Sequence, residues 1–292
     1  LKLSMFDDFR LGVWARDDSI VDVTRVLPET ARPSDRMSAL IADWARVESE
    51  IRDASRSTGT PRSQVTFRAP QPRPSKILAA PVNHGPHREE MIAAGAFTDV
   101  PGTIEKYVAF LKAPSSIVGP DGSIEHPDPT RRIDYEAELG IVIGAPARQV
   151  SRENALSHVF GYLALIDVTM RGDEDRSYRK SFDTFTPLGP AIVTADEIPD
   201  PSVLELELRV NGRLRQKGRV ADLIYDVAQL IEVYSRAMTL ETGDIIASGT
   251  PDGVGPLTPG DEVSLEVSQV PPLTIPVTAR DPLHQPSAPA TQ

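Results

Sequence analysis

The sequence predicts a β-rich α+β fold with a small N-terminal unit, and three observations carry that prediction. From Lys76 onward the apolar residues fall in short runs (ILAAPV, YEAELGIVIG, GYLALIDV, AIVTA, LELELRV, DIIASGT and EVSLEV) broken by Gly and Pro, as strands are. Helical periodicity is confined to two stretches. The 27 Pro and 19 Gly impose many turns, and aromatics at 5% leave the core to Val, Leu, Ile and Ala.

In chain order, Arg10 to Val26 alternates apolar stretches with turn residues and reads as strands. Arg36 to Arg56 then carries Met37, Leu40, Ile41, Trp44, Ala45, Val47 and Ile51 at helical spacing, which predicts one amphipathic helix. Pro61 to Pro74 holds four prolines among polar residues and reads as a linker, so a small N-terminal domain and linker should occupy 1–72 and the main domain 73–282. A second helix is expected from Ala221 to Ala237, where Leu223, Ile224, Val227, Leu230, Ile231 and Tyr234 form a stripe. The residues 283–292, ending HQPSAPATQ, have the composition of a disordered tail.

Charge and cysteine content exclude several classes of function. Lys and Arg number 31 against 42 Asp and Glu, and a net charge of −11 would repel a nucleic-acid backbone. No run reaches the roughly 18 apolar residues of a membrane span, and the first residues lack a signal peptide's apolar core, so a cytoplasmic protein is expected. With no cysteine, any metal site must use oxygen or imidazole ligands.

In DYEAELGIVIG, the period of two puts Tyr135, Ala137, Leu139, Ile141 and Ile143 on one strand face and Asp134, Glu136 and Glu138 on the other. Two carboxylates side by side can hold a cation or simply face solvent. Asp167 ends GYLALID, a nearly continuous apolar run of the kind buried on both faces. A buried carboxylate must be neutral, paired, or bound to metal, and here the pairing candidate is Arg171. If the three carboxylates converge, the donor set suits a hard cation, Mg²⁺ or Mn²⁺. The loop from Met170 to Asp183 is dense in both charges; it is either solvated surface or, through Lys180 and an Arg such as Arg171, a grip on an anionic substrate.

These strings, with Lys180 in KSFDTFTPLGP and the later VNGRLRQ, MTLETGDIIASGTPDGVG and PGD, together resemble the fumarylacetoacetate hydrolase family, in family order from about Lys76 to Val267. The resemblance implies a mixed β-sandwich roll, usually a homodimer, with Glu136, Glu138 and Asp167 as ligands of one divalent cation. It implies too that Lys180 contacts substrate or a water on the metal, and that Thr250, in the turn Gly249-Thr250-Pro251, meets the substrate carboxylate. Upstream, NHGPHREEM resembles the family's Asn-Tyr-x-x-His-x-x-Glu lid motif, which makes His87 and Glu90 the catalytic pair. His and Glu three apart share one face of a helical turn, so the Glu can orient the imidazole. His84 stands in the motif's Tyr position, and Gly172 where the family commonly has Asp.

The function expected is hydrolytic cleavage of a carbon–carbon bond in a small anionic keto acid, a 2,4-dioxo acid of the acylpyruvate or fumarylpyruvate type. A metal-dependent decarboxylase or tautomerase of oxaloacetate-like or 2-hydroxymuconate-like acids uses the same parts, and a non-catalytic binding protein is the third class. The segment from about Asn83 to Lys106, punctuated by Gly85, Pro86, Gly95, Pro101 and Gly102, is expected to close over the substrate.

Overall fold

The computed structural model describes residues 1–28, 32–93 and 104–280. The residues 283–292 expected to form a tail, and the middle of the segment expected to close over the substrate, with Gly95, Pro101 and Gly102, lie outside them. Among the described residues no helix is long and apolar enough to cross a membrane.

The fold is β-rich α+β, built on a 12-stranded mixed sheet. At its centre Ala137–Ile143 runs antiparallel to Val159–Ile166, which in turn pairs with Thr186–Thr194. Every residue of these three strands is buried. Their side chains divide by the strand period: Leu139, Ile141, Tyr162, Ala164 and Ile166 enter one core, Val142, Leu163 and Leu165 the other. The continuous apolar runs are therefore the signature of a sheet covered on both sides. Each fully buried Leu or Ile contributes about 1.5–3 kcal/mol relative to exposure.

One cover is a five-stranded sheet, in the order Arg213–Arg219, Glu205–Val210, Glu262–Val267, Val270–Ala279 and Ile124–His126. It supplies Leu206, Leu208, Val263, Leu265, Leu273 and Ile275, and the helix Val227–Ala237 adds Leu230, Ile231 and Tyr234 to the same core. The other cover comes from the beginning of the chain, whose Met37, Leu40, Ile41, Val47 and Ile51 join the second core. The N-terminal strands Lys2–Phe6, Arg10–Trp14 and Ser19–Asp22 continue the central sheet, because Lys2 and Leu3 pair with Val193 and Ile192. A small third sheet joins Ile133–Tyr135 to Thr169–Met170 and Gly255–Leu257.

Both expected helices differ from the sequence reading. The first is two, Arg36–Ala42 and Trp44–Ala54, parted at Asp43, whose carboxylate accepts from Arg46 Nε at 2.7 Å. The break re-aims the apolar stripe so that both halves face the sheet. The second begins only at Val227, capped by Asp226, which accepts from the Gln229 amide at 2.8 Å. Leu223 has extended backbone, and Asn83 holds the segment after it: the Ile224 amide donates to its carbonyl at 2.9 Å and the Tyr225 amide to its side-chain oxygen at 2.7 Å.

Candidate active site

Strand register assembles the acidic cluster. Ala137 lies opposite Ile166 and Glu138 opposite Leu165, so Glu136 and Asp167, one step further out, face each other across the pair. The Asp167 amide donates to the Glu136 carbonyl at 2.8 Å, fixing that juxtaposition. Glu138, two residues along, projects to the same side. One carboxylate oxygen from each of Glu136, Glu138 and Asp167 lies within 4.8 Å of the others, and all three residues are buried.

Two lysines enter this cluster. Lys180, which follows the short helical turn Arg176–Arg179, donates to Glu136 Oε2 at 2.8 Å and Asp167 Oδ2 at 2.5 Å. Lys112, the last residue of the strand Phe110–Lys112, is fully buried and donates to the other Asp167 oxygen at 2.5 Å and to the Lys180 and Phe185 carbonyls at 2.7 and 3.1 Å. The partner weighed for Asp167 in the sequence, Arg171, goes elsewhere: its Nε donates to Asp134 Oδ2 at 2.6 Å, while Nη2 stands 3.8 Å from Glu136. The reason is strand register: Asp134 lies opposite Thr169 and Ile133 opposite Met170, which brings Arg171 beside Asp134.

The electrostatics divide the cluster. Burial by itself would raise the Glu136 carboxyl, but Lys180 and Arg171 outweigh it and hold it down to about 2. Burial, and then the charge of Asp167 beside it, push Glu138 well above the carboxylate range. Against its burial, Lys180 is raised by Asp167 and Glu136, whereas burial leaves Lys112 lowered. Three buried carboxylates, one of them pushed toward the neutral form by its neighbours, are a donor set that fits a divalent hard cation: its charge would let all three ionise together.

The remaining predicted residues approach from two loops. Gly249 takes φ +103, and its amide donates to Glu138 Oε2 at 2.8 Å; a Cβ there would meet Asn83 Cβ at 2.7 Å, so both the turn and the close approach demand glycine. Thr250 Oγ1 accepts from Gln216 Nε2 at 2.8 Å, and Gln216 Oε1 accepts the Ala137 amide at 2.8 Å, tying the turn to the start of the strand Ala137–Ile143. On the helix Gly85–Ala93, His87 Nδ1 lies 3.0 Å from Glu90 Oε2, and the other Glu90 oxygen accepts the Gly253 amide at 3.2 Å. His84 is buried, its Nε2 3.2 Å from the Arg219 carbonyl, and burial lowers its pKa.

His87, Glu136, Glu138, Arg171, Lys180 and Thr250 line one cavity of about 350 Å³. Asp167, Glu90 and Gly249 stand behind the lining, in contact with Lys180, His87 and Glu138 respectively. Sequence reasoning missed Lys112, Gln216 and Thr169, whose hydroxyl donates to Glu136 Oε1 at 2.9 Å. For Lys112 a signal existed, a lysine closing an apolar strand, but its partner lies 55 residues away.

Comparison with known proteins agrees with this architecture. Residues 76–278 match the model of the fumarylacetoacetate (FAA) hydrolase C-terminal domain. The chain belongs to the fumarylacetoacetate hydrolase family. It is 41% identical over 286 residues to the maleylpyruvate hydrolase of Aquipseudomonas alcaligenes, covering 94% of this chain and 98% of that one. It is 38% identical over 243 residues to the oxaloacetate tautomerase YisK of Bacillus subtilis, 79% of this chain and 78% of the relative. A crystal structure of maleylpyruvate hydrolase from Sphingobium sp. SYK-6, in complex with manganese(II) and pyruvate, superposes with a TM-score of 0.83 at 38% identity, covering 96% of this chain and 99% of that one.

Proposed function

We propose that this family member is a divalent-metal-dependent hydrolase that cleaves a carbon–carbon bond in a 2,4-dioxo acid of the acylpyruvate or fumarylpyruvate type, releasing pyruvate and a carboxylic acid. Glu136, Glu138 and Asp167 would hold Mg²⁺ or Mn²⁺. The observation that carries the reading is that His87, paired with Glu90, lines the same cavity as Glu136 and Glu138 of the buried acidic triad. The relatives support it, since a maleylpyruvate hydrolase is similar over nearly the whole chain.

When bound, the cation supplies Lewis-acid stabilisation of the 2-oxo acid end and fixes its orientation. His87, held by Glu90 through Nδ1, accepts a proton at Nε2 from a water that attacks the distal carbonyl carbon. The hydroxyl bonds to that carbon, the adjoining carbon–carbon bond breaks, and its electron pair leaves as the enolate of pyruvate. The Lys180 ammonium donates to the developing enolate oxygen, and the His87 imidazolium returns a proton to the enolate carbon. Thr250, positioned by Gln216, and Arg171, positioned by Asp134, are the donors assigned to the substrate carboxylate.

A tautomerase or decarboxylase of oxaloacetate-like acids is the second reading, favoured by similarity to an oxaloacetate tautomerase. It needs the enolate-stabilising half of the site and no attacking water. The test is a panel of acylpyruvates, oxaloacetate and 2-hydroxymuconate analogues with Mg²⁺ or Mn²⁺, with products identified by mass. Acylpyruvates left intact while oxaloacetate is turned over would overturn the hydrolase reading. Family membership also supports a cytoplasmic homodimer, which a monomer by sedimentation at micromolar concentration would contradict.

A further inference from the structure

Besides the residues already given roles, the cavity is lined by Arg176 and Arg179. Their settings differ. Arg179 is tied to its own loop, Nε donating to the Glu174 carbonyl at 2.8 Å and Nη1 to the Met170 carbonyl at 3.2 Å. Arg176 makes no ion pair or hydrogen bond through its guanidinium to any described residue. It rests on aromatic faces instead, its Cζ 5.5 Å from the ring centres of both Tyr107 and Phe110. Phe110 also receives Lys180, whose Nζ is 5.0 Å from the same ring. Arg176 and the Lys180 ammonium therefore share Phe110 as a common aromatic neighbour on the cavity wall.

The loop that carries these arginines is pinned. Arg131 forms a two-pronged pair with Glu174, Nη1 to Oε1 at 2.7 Å and Nη2 to Oε2 at 2.8 Å, and Nη2 also donates to the Arg171 carbonyl at 2.9 Å. The clamp passes close over Gly172, where a Cβ would lie 2.2 Å from Arg131 Nη2 and 2.3 Å from Glu174 Oε2 and the two side chains would have to shift. The departure noted at Gly172 thus has a structural use: it lets a clamp fix the arginines at the cavity wall. Burial, and then the neighbouring Arg171 and Arg176, depress Arg179, and Arg171, Arg176 and Arg179 all line the cavity. Planar guanidinium forks so arranged suit a carboxylate, which can accept two parallel bonds.

We propose that Arg176, supported by Arg179, is the specificity-determining residue for a second carboxylate at the far end of the substrate, so that the preferred 2,4-dioxo acid is a dicarboxylate. The inference rests on the acylpyruvate-type reading of the site. One end of the molecule lies at the triad and Lys180, and the acyl portion passes along Phe110. The terminal carboxylate then meets Arg176, gaining charge-assisted hydrogen bonds that a neutral acyl end cannot make.

The test measures binding, which does not require turnover. Calorimetry with Mn²⁺-supplemented protein compares 2-oxoheptanedioate with 2-oxoheptanoate, which differ only in a terminal carboxylate against a methyl group. The wild type should bind the dicarboxylate about tenfold to a hundredfold more tightly, the range of a charge-assisted pair. Arg176→Leu should reduce that preference to within a few-fold while leaving 2-oxoheptanoate binding unchanged. Because the guanidinium has no polar partner among the described residues, the variant should melt with the wild type; Arg176→Gln is the second variant if it does not. A preference that persists in both variants, or its absence from the wild type, overturns the inference. Pyruvate release from succinylpyruvate and butanoylpyruvate is assayed in parallel. Release from both without an Arg176-dependent preference would leave the hydrolase reading standing and sink this one; the preference without any release would do the reverse.

Discussion

The Lys180 ammonium bridges two carboxylates of the acidic cluster, 2.8 Å from Glu136 Oε2 and 2.5 Å from Asp167 Oδ2. Asp167 is shared, because Lys112 holds its other oxygen. The two lysines therefore divide the work: Lys112, with no exposure and two carbonyl partners, anchors Asp167, whereas Lys180 borders the cavity.

Lys180→Met should accordingly leave Asp167 anchored and the fold intact while lowering kcat by about 10²- to 10³-fold, the usual worth of one donor to a developing oxyanion. Circular dichroism and steady-state kinetics on an acylpyruvate check both halves. Lys112→Met should instead destabilise, by about 3–5 kcal/mol, because it strips a buried carboxylate of a buried partner. If chemical denaturation ranked the two variants in the opposite order of stability, this division of labour would be wrong.

Chelation bears on the donor set. Treatment with EDTA should abolish turnover, and Mn²⁺ or Mg²⁺ should restore it, whereas Glu136→Gln and Asp167→Asn should not recover at equal metal concentration. Full activity of either variant after exhaustive chelation would remove the metal assignment. Cation binding should also favour loss of a proton from Glu138, which is pushed toward its neutral form in the metal-free protein. Calorimetry in buffers of different ionisation enthalpy reads that proton directly.

The same raised Glu138 gives a pH dependence with a definite sign. A carboxyl whose folded-state pKa lies above its unfolded value contributes stability that is present below the unfolded value. That contribution is lost as pH rises through the folded value. Glu136 has the opposite sign: held down to about 2, it contributes above the ordinary carboxylate range and loses that contribution as pH falls toward 2. Without metal, Glu138→Gln should raise the melting temperature at neutral pH and have little effect near pH 4, while abolishing tight metal binding. A melting temperature lowered at pH 7 would count against the electrostatic account.

How much of this was legible in the sequence depends on the range of the interaction. Glu136 and Glu138 could be placed together because a strand's period is local, and Asp167 was conspicuous as a carboxylate ending an apolar run. That Asp167 faces Glu136 is a matter of register between strands, and that Lys112 rather than Arg171 anchors it depends on an approach from a third strand. The late start of the helix at Val227 has the same origin: Leu223 and Ile224 fit the stripe, but Asn83, remote in sequence, takes the backbone donors after Leu223. The Asp43 break was foreseeable in type but not in position, since a polar residue within an amphipathic stripe stops a helix only when its surroundings offer another use for the chain.

The choice between hydrolysis and enolisation turns on His87 and Glu90. Only hydrolysis requires an activated water, so His87→Ala and Glu90→Ala should each lower kcat on an acylpyruvate by about 10²- to 10⁴-fold, with metal affinity unchanged. Glu90 should cost less than His87, because it acts by orienting the ring through the 3.0 Å contact to Nδ1 and leaves the proton acceptor in place. Its second tie, to the Gly253 amide, holds the helix Gly85–Ala93 beside the loop that follows the Gly249 turn, so Glu90→Gln should recover part of the loss by keeping that geometry. Turnover of oxaloacetate, which needs no attacking water, should fall much less in all three variants. Equal losses on both substrates would mean that His87 acts on the substrate's own proton, and the tautomerase reading would then take precedence.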